Sequence, residues 1–465
     1  MLELLNEVND AIWGYCLIAL LVGCGLWFTW RSRFVQFRMV GEMLRLLTDA
    51  SVKPKGNEKH ISSFQAFAVS LASRVGTGNL AGVATAIVVG GPGAVFWMWV
   101  MALFGASTAF VESTLAQLYK QHHTDSFIGG PAYYIRRGLH SRWMSMLFAV
   151  LITLTFGLAN NSVQANTITG AMEGAFGWNP QIVGGVMAAV TLLIIFGGIQ
   201  RIARVSAVLV PVMAVGYFVL ALVIIIMNIT LVPHVFRVII ESAFGIHQAV
   251  GGAVGAAIMN GVKRGLFSNE AGEGSAPNAA ATAAVSHPVK QGLIQALGVF
   301  TDTLVVCSCT AFIILISGLY TSPELNGITL TQAALQSEVG SWGPTFVAIA
   351  ILLFAFSSII GNYYYGEANV RFMTSSRRVM TLYRLASGGV MIIFGALATL
   401  DVVWSMIDFF MALLTMCNLA AIILLGKYAF RLLDDYRQQR RQGVKAPVFH
   451  RSQLPEIEQD ISCWD

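Results

Sequence analysis

The sequence predicts an all-α polytopic membrane protein with 11 transmembrane helices. One extra N-terminal helix precedes two five-helix blocks that are inverted relative to each other. Three observations carry this prediction: a composition too apolar for a water-facing surface, an alternation of basic residues along the chain, and a matched pair of Gly-rich polar interruptions. The 465 residues would make about three soluble domains at ~150 residues each. Yet only 11% of them are charged and 56% are apolar, with a mean hydropathy of +0.67. A soluble domain carries ~25% charged residues, so much of this surface faces a bilayer.

A hydrocarbon core of ~30 Å needs about 20 apolar residues per helix. That ruler places spans near 11–30, 64–90, 93–119, 143–170, 180–199, 205–232, 247–285, 292–318, 343–370, 385–400 and 402–426. The seventh is too long for one straight helix and is expected to be interrupted. The first is read as a retained helix with its N-terminus outside. Glu3, Glu7 and Asp10 precede it, Arg31 and Arg33 follow it, and no small-residue cleavage site appears.

Basic residues test the count, because cytoplasmic connections collect Lys and Arg. The segments 31–63, 120–142, 200–204, 286–291, 371–384 and 427–465 hold 25 of the 29, and they are alternate connections in the 11-span reading. The opposite connections hold only Arg237, while Arg74, Lys263 and Arg264 fall within spans. This places the C-terminus inside. The chain then divides into an extra helix (1–30), a cytoplasmic basic segment (31–63), a first five-helix repeat (64–232), a second inverted repeat (247–426) and a cytoplasmic tail (427–465), the last read as solvated or facing anionic lipid. Cys16, Cys24, Cys307, Cys309, Cys417 and Cys463 fall mostly in apolar runs and lack zinc spacing, so they read as packing residues without disulfides.

The interruptions are Ser73-Arg74-Val75-Gly76-Thr77-Gly78-Asn79 in the second span and Gly265-Leu266-Phe267-Ser268-Asn269-Glu270-Ala271-Gly272 in the seventh. Each opens one block of five. Five helices reverse direction, so the blocks are inverted, and interruptions in corresponding spans point to the binding site of a secondary transporter. Breaking a helix at bilayer depth frees N–H groups at one end, suited to a carboxylate, and C=O groups at the other, suited to an ammonium or Na⁺. Two facing breaks suit a zwitterion. Close helix packing is the other use of such glycines.

Ser357 and Ser358, with backbone carbonyls, offer oxygen ligands to a monovalent cation, or serve as small packing residues. Asn160, Gln164 and Thr167 share one helical face, which lines a cavity or bonds a neighbouring helix. Charges at bilayer depth are costly and functional by default; Arg74, Glu112, Glu270, Glu273, Asp302, Glu367 and Asp408 qualify, and Arg74 and Glu270 are expected to pair across the two breaks. No metalloprotease helix motif, phosphate-binding P-loop or nucleophile elbow occurs, which argues against ATP-driven transport and membrane-embedded enzymes.

The strings Val75-Gly76-Thr77-Gly78-Asn79-Leu80-Ala81-Gly82, Gly90-Gly91-Pro92-Gly93-Ala94-Val95-Phe96-Trp97-Met98-Trp99 and Gly265 through Gly272 resemble the signatures of the alanine/glycine:cation symporter family, and the likeness runs from the first span to the last. The resemblance implies a LeuT-type fold and Na⁺-coupled uptake of alanine or glycine across the bacterial cytoplasmic membrane by alternating access. It implies Na⁺ at the carbonyls of Ala72, Val75 and Phe354 and the hydroxyls of Ser357 and Ser358. The substrate carboxylate would meet amides around Gly76, Thr77 and Gly78, beside Asn79, and its amine oxygens near Phe267, Ser268 and Asn269, with Asn160 and Gln164 lining the cavity. Trp97-Met98-Trp99 would pack the third span against its neighbours. No cofactor other than the coupling ion and no nucleic acid is expected, and the chain is read as a monomer. The rivals are proton-coupled transport or exchange, and a channel.

Overall fold

The computed structural model describes residues 2–49, 61–123, 126–196, 198–245 and 251–464. Lys53, Lys55 and Lys59 of the basic segment, and the first residues of the expected seventh span, lie outside the described residues. Among the described residues six helices are long and apolar enough to cross a membrane: Gly93–Leu118, Arg142–Phe176, Val289–Ser317, Gly343–Met373, Arg377–Leu397 and Leu400–Arg441. Pro211–Met227 with Val232–Phe244, bent by 103°, makes a seventh candidate. The chain is a multi-pass membrane protein. Other expected spans hold shorter apolar helices, Ile18–Arg31, Gly78–Gly90 and Pro180–Ile195.

Local sequence explains where these helices begin and end. Ser62 opens Ser63–Arg74 with a reciprocal cap: its hydroxyl accepts from the Gln65 N–H (3.1 Å) and its own N–H donates to Gln65 Oε1 (3.0 Å). Pro131 and Pro180 stand in first turns, where a missing N–H costs nothing. Gly177 and Gly318, at φ 66° and 69°, close Asn161–Phe176 and Ser308–Ser317 in the left-handed conformation.

Gly93–Leu118 is the spine of the core, and small residues let backbones approach it. A Cβ on Gly261 would stand 2.5 Å from Ala94 O, and one on Gly292 would stand 2.8 Å from Phe110 O. The Trp97-Met98-Trp99 run packs this helix as expected. Trp99 Nε1 donates to Ser308 Oγ at 2.8 Å, Trp97 meets Phe244 at 6.3 Å between ring centroids, and Met98 is buried beside Gly265. All six cysteines are free.

Several parts of the fold have no counterpart in the span reading. Within 120–142 a hairpin (Gln121–His123 with Ser126–Ile128) precedes helix Pro131–Gly138. Helix Gly327–Val339 fills the connection before Gly343–Met373. The last helix runs on to Arg441, past the expected end at 426. The tail beyond it is docked, not solvated: Phe449, Leu454, Ile457, Ile461 and Trp464 are buried. Phe449 N–H donates to Ser286 O (2.9 Å), Ser286 Oγ to Pro447 O (2.7 Å) and Trp464 Nε1 to Gln117 O (3.1 Å). The buried apolar residues of the tail follow no helical or strand period, so span-finding does not register them.

Beneath the docked tail Lys120 is buried, donating to Ala283 O at 3.0 Å and lying 4.6 Å from the Trp464 ring centre. Burial pushes its ammonium down to about 7, whereas a hydrated lysine titrates near ~10.4. The docked state therefore holds fewer protons between these values, so docking strengthens as pH rises from about 7 towards ~10 and is flat below. Trp464→Ala should speed proteolysis of the tail at least ~10-fold, since losing a buried Trp costs ~3–5 kcal/mol. Lys120→Met should abolish the pH slope of that proteolysis; an unchanged slope would exclude Lys120 as its source.

Candidate functional site

The first interruption falls where the glycines predict it. Helix Ser63–Arg74 ends, Val75 is extended (φ −77°, ψ 95°), and helix resumes at Gly78. The freed N–H groups find side chains: Gly76 donates to Asn79 Oδ1 at 2.8 Å, and Thr77 donates to Gln164 Oε1 at 3.0 Å. Gln164 is itself held by Asn160, to which its Nε2 donates at 2.8 Å. The Asn160/Gln164 face therefore serves the break directly. Thr77 Oγ1 is buried without a hydrogen-bond partner.

The carbonyls of the same break turn to Gly343–Met373. Ser358 Oγ lies 2.9 Å from Ala72 O, 3.2 Å from Val75 O and 3.1 Å from Phe354 O. Ser357 Oγ lies 2.8 Å from Phe354 O and 3.4 Å from Ala72 O. Five oxygens thus converge, and two hydroxyl hydrogens face three carbonyls. Ala72 O is spare because its helical partner, the Gly76 N–H, is turned to Asn79. Gly76 is required here, since a Cβ would overlap Ser358 Oγ and stand 2.8 Å from Gln164 Oε1.

The second interruption lies later than the sequence indicates. Helix Gly251–Asn269 continues through Gly265, Phe267, Ser268 and Asn269, and the chain breaks at Glu270, Gly272 and Gly274 (φ 57°, 97° and 79°) before Ala276–Ala280. Gly265 is spent on packing, its would-be Cβ 3.3 Å from Met98 Cα. Glu112 takes the freed N–H groups: Gly272 donates to its Oε1 (3.2 Å) and Gly274 to its Oε2 (3.1 Å), with Asn418 Nδ2 at 2.8 Å from Oε2.

The first break touches the last turn of helix Gly251–Asn269, which leads into the second. A Cβ on Gly78 would lie 3.1 Å from Phe267 Cδ1 and from Ser268 Cα. Asp302 ties them together, accepting from Asn79 Nδ2 (2.7 Å), Ser268 Oγ (2.7 Å) and Thr303 Oγ1 (2.9 Å), while Asn269 Nδ2 donates to Thr303 Oγ1 (3.3 Å). The Phe267 ring lies 4.7 Å from that of Trp404, over which Arg264 stacks at 4.2 Å and pairs with Asp408 at 2.6 Å. The expected Arg74–Glu270 pair does not form. Arg74 Nη1 donates to Gln295 O (3.2 Å), whereas Glu270 accepts from Ser73 (2.7 Å) and Ser275 (2.6 Å). Adjacent hydroxyls reach the carboxylate first. Sequence reasoning flagged Glu112 and Asp302 only as costly intramembrane charges, and it missed Trp404.

This pairing of two broken helices has relatives. Residues 1–451 match the sodium:alanine symporter family. The chain belongs to that family. It is a Na⁺-coupled amino-acid symporter. The probable sodium/glutamine symporter GlnT of Bacillus subtilis (strain 168) is 54% identical over 99% of this chain and 96% of its own. The amino-acid carrier protein AlsT of the same organism is 52% identical over 100% of this chain and 97% of its own. The symporter's fold resembles the crystal structure of MhsT in complex with L-phenylalanine, with a TM-score of 0.55 at 14% identity over 88% of this chain and 94% of that one.

Gly76→Ala should reduce uptake at least ~100-fold in a symporter that still reaches the membrane. Gly82→Ala is the control, since its Cβ would meet nothing nearer than 3.7 Å, and its uptake should stay within about twofold of wild type. Equal losses in the two would show that the clash at Ser358 is not what matters.

Proposed function

We propose that this chain imports alanine and glycine together with Na⁺ by alternating access, as an 11-span, five-plus-five inverted LeuT-type transporter. The first repeat spans 64–232 and the second 247–426. It acts as a monomer in the bilayer of a bacterial cytoplasmic membrane, N-terminus out and C-terminus in, with Na⁺ as coupling ion and no other cofactor. The observation that carries this reading is the oxygen cage. Two hydroxyls, each within 3.4 Å of two or three of the three carbonyls, leave more lone pairs than hydrogens, and a monovalent cation can coordinate the surplus. Unwound carbonyls are the usual Na⁺ ligands of such folds.

The substrate takes the remaining freed groups. Its carboxylate replaces Gln164 Oε1 on the Thr77 N–H and meets the amides around Gly76 and Gly78, with the unpartnered Thr77 hydroxyl beside it. Its ammonium meets the oxygens near Phe267, Ser268 and Asn269, at the negative end of helix Gly251–Asn269. Phe267 and Trp404 close over a small side chain. Na⁺ bound between Ser63–Arg74 and Gly343–Met373 favours one arrangement of these elements, and the ion shifts the equilibrium by its differential affinity for it. A second reading, glutamine as substrate, is favoured by the 54% identity to a protein named probable sodium/glutamine symporter.

Labelled alanine, glycine and glutamine offered to proteoliposomes separate these readings. Accumulation of alanine and glycine above the external level with a Na⁺ gradient, and not with K⁺, is the expected result. Preferential accumulation of glutamine supports the second reading, and flux that never concentrates substrate identifies a channel. Ser358→Ala should raise the Na⁺ concentration for half-maximal uptake at least ~10-fold. Uptake driven by a pH gradient and indifferent to Ser357→Ala and Ser358→Ala would overturn the ion site in favour of proton coupling.

A further inference from the structure

The connection 371–384 enters the sequence reading only as an orientation signal, but it has a shape as well as a charge. Arg371, Arg377 and Arg384 line one cavity of about 490 Å³ together with the hydroxyl residues Thr374, Ser375 and Ser376. Glu367 pairs with Arg371 (2.7 Å) and Arg384 (2.9 Å). One carboxylate against three guanidiniums leaves the cavity cationic. Arg377 makes no ion pair among the described residues and is exposed. Helix Arg377–Leu385 starts at the cavity wall, and its N-cap residue Ser376 makes no side-chain cap, so its first N–H groups add to the positive end of the site.

Met380 supplies the apolar part of the cavity wall, while Val379, Leu382 and Leu385 are exposed on the side of that helix turned away from the cavity, Leu382 at 68%. Arg384 stacks at 5.2 Å over Phe196, also exposed. A solvated basic loop needs neither a ring of hydroxyls nor an adjoining apolar wall. A phosphate with hydrocarbon attached needs both: guanidiniums and hydroxyls for the oxygens, and a greasy wall for the chain.

We propose that this cavity binds the phosphate of an anionic phospholipid from the leaflet on the basic side of the molecule, its acyl chains leaving past Met380 and Phe196. The choice of leaflet rests on the orientation proposed above; the recognition chemistry does not. The site reaches the transport machinery through one helix. Arg384 Nε contacts Tyr363 Oη at 3.1 Å and Tyr383 Oη donates to Tyr363 O at 2.8 Å. Tyr363 and Glu367 lie on Gly343–Met373, the helix that carries Phe354, Ser357 and Ser358.

The full-length protein in detergent can be titrated with dioleoylphosphatidylglycerol, with dioleoylphosphatidylcholine and inorganic phosphate as comparisons, reading occupancy by native mass spectrometry. Phosphatidylglycerol should bind at least ~10-fold tighter than phosphatidylcholine. Arg377→Gln should lose about fivefold and the Arg371→Gln/Arg377→Gln pair more than ~10-fold, at roughly one surface charge's worth of lipid attraction each. Arg378→Gln makes the same charge change next to the cavity without lining it, and should lose less than about twofold. If Arg378→Gln loses as much as Arg377→Gln, or if the two lipids bind alike, the site is overturned in favour of diffuse surface charge. Displacement of phosphatidylglycerol by millimolar inorganic phosphate would overturn the lipid and assign the cavity to a soluble phosphate compound. Na⁺-driven alanine uptake by Arg377→Gln in phosphatidylcholine vesicles, run in parallel, keeps this site separate from symport: its persistence leaves the transport reading intact whatever the lipid does.

Discussion

Every broken helix at bilayer depth leaves backbone N–H and C=O groups that water cannot reach, and the protein must answer each of them internally. That constraint organises the centre of this molecule. At the first break Asn79 and Gln164 receive the N–H groups of Gly76 and Thr77, while Ser357 and Ser358 face the carbonyls of Ala72, Val75 and Phe354. At the second, Glu112 receives the N–H groups of Gly272 and Gly274. The answers differ in kind. A fixed carboxylate, itself anchored by Asn418, makes the second break a permanent structural feature. Neutral amides and hydroxyls make the first break exchangeable, because a ligand can take over from them without stranding a charge.

Asp302 makes the two breaks one object. Its carboxylate holds Asn79 from one and Ser268 from the helix leading into the other, so a shift of either broken helix is felt by its partner through two charge-assisted bonds. Trp404 and Phe267 sit against the second break, and Arg264 with Asp408 stacks behind them. Polar atoms of this group remain buried and unpaired, among them Arg264 Nη1, Asp408 Oδ1 and Trp404 Nε1. Buried polar atoms without partners cost about 1–3 kcal/mol each.

Much of this was legible in the sequence because it depends on residues with unambiguous backbone consequences. Gly76 and Gly78 located the first break, and Ser357 with Ser358 named hydroxyls that do meet its carbonyls. The second break was displaced because Gly265 and Gly272 look alike in sequence, yet one packs against Met98 while the other adopts φ 97°. Only tertiary contact distinguishes them. The same holds for Arg74 and Glu270, where local hydroxyls of Ser73 and Ser275 outcompeted a pairing inferred from charge alone. Glu112 and Asp302 were visible as expensive carboxylates, but which amides they serve is a three-dimensional fact. The docked tail escaped notice because five apolar residues spread over 449–464 have no helical or strand period.

Helix Gly343–Met373 links the centre to the basic side of the molecule. Ser357 and Ser358 face the first break at one level, and Tyr363 and Glu367 engage Arg371, Tyr383 and Arg384 further along. A helix transmits displacement along its length because its backbone bonds are cooperative, so what holds Glu367 bears on how freely the serine hydroxyls can approach Ala72 and Val75. The tail strap reaches the other side of the same break: Pro447 and Phe449 bond Ser286, the Ala284 N–H bonds Ile61 O at 3.0 Å, and Ile61 leads into Ser63–Arg74. The two walls of the oxygen cage are therefore each anchored at the basic face, one through arginines and one through the tail. In the proposed transport cycle, release of the ion towards that face requires one of these anchors to yield. The tail is tied by charged contacts of its own, Arg431 with Glu456 and Arg137 on the Asp460 carbonyl, as Glu367 is by Arg371 and Arg384, so both walls are restrained at this face through guanidiniums.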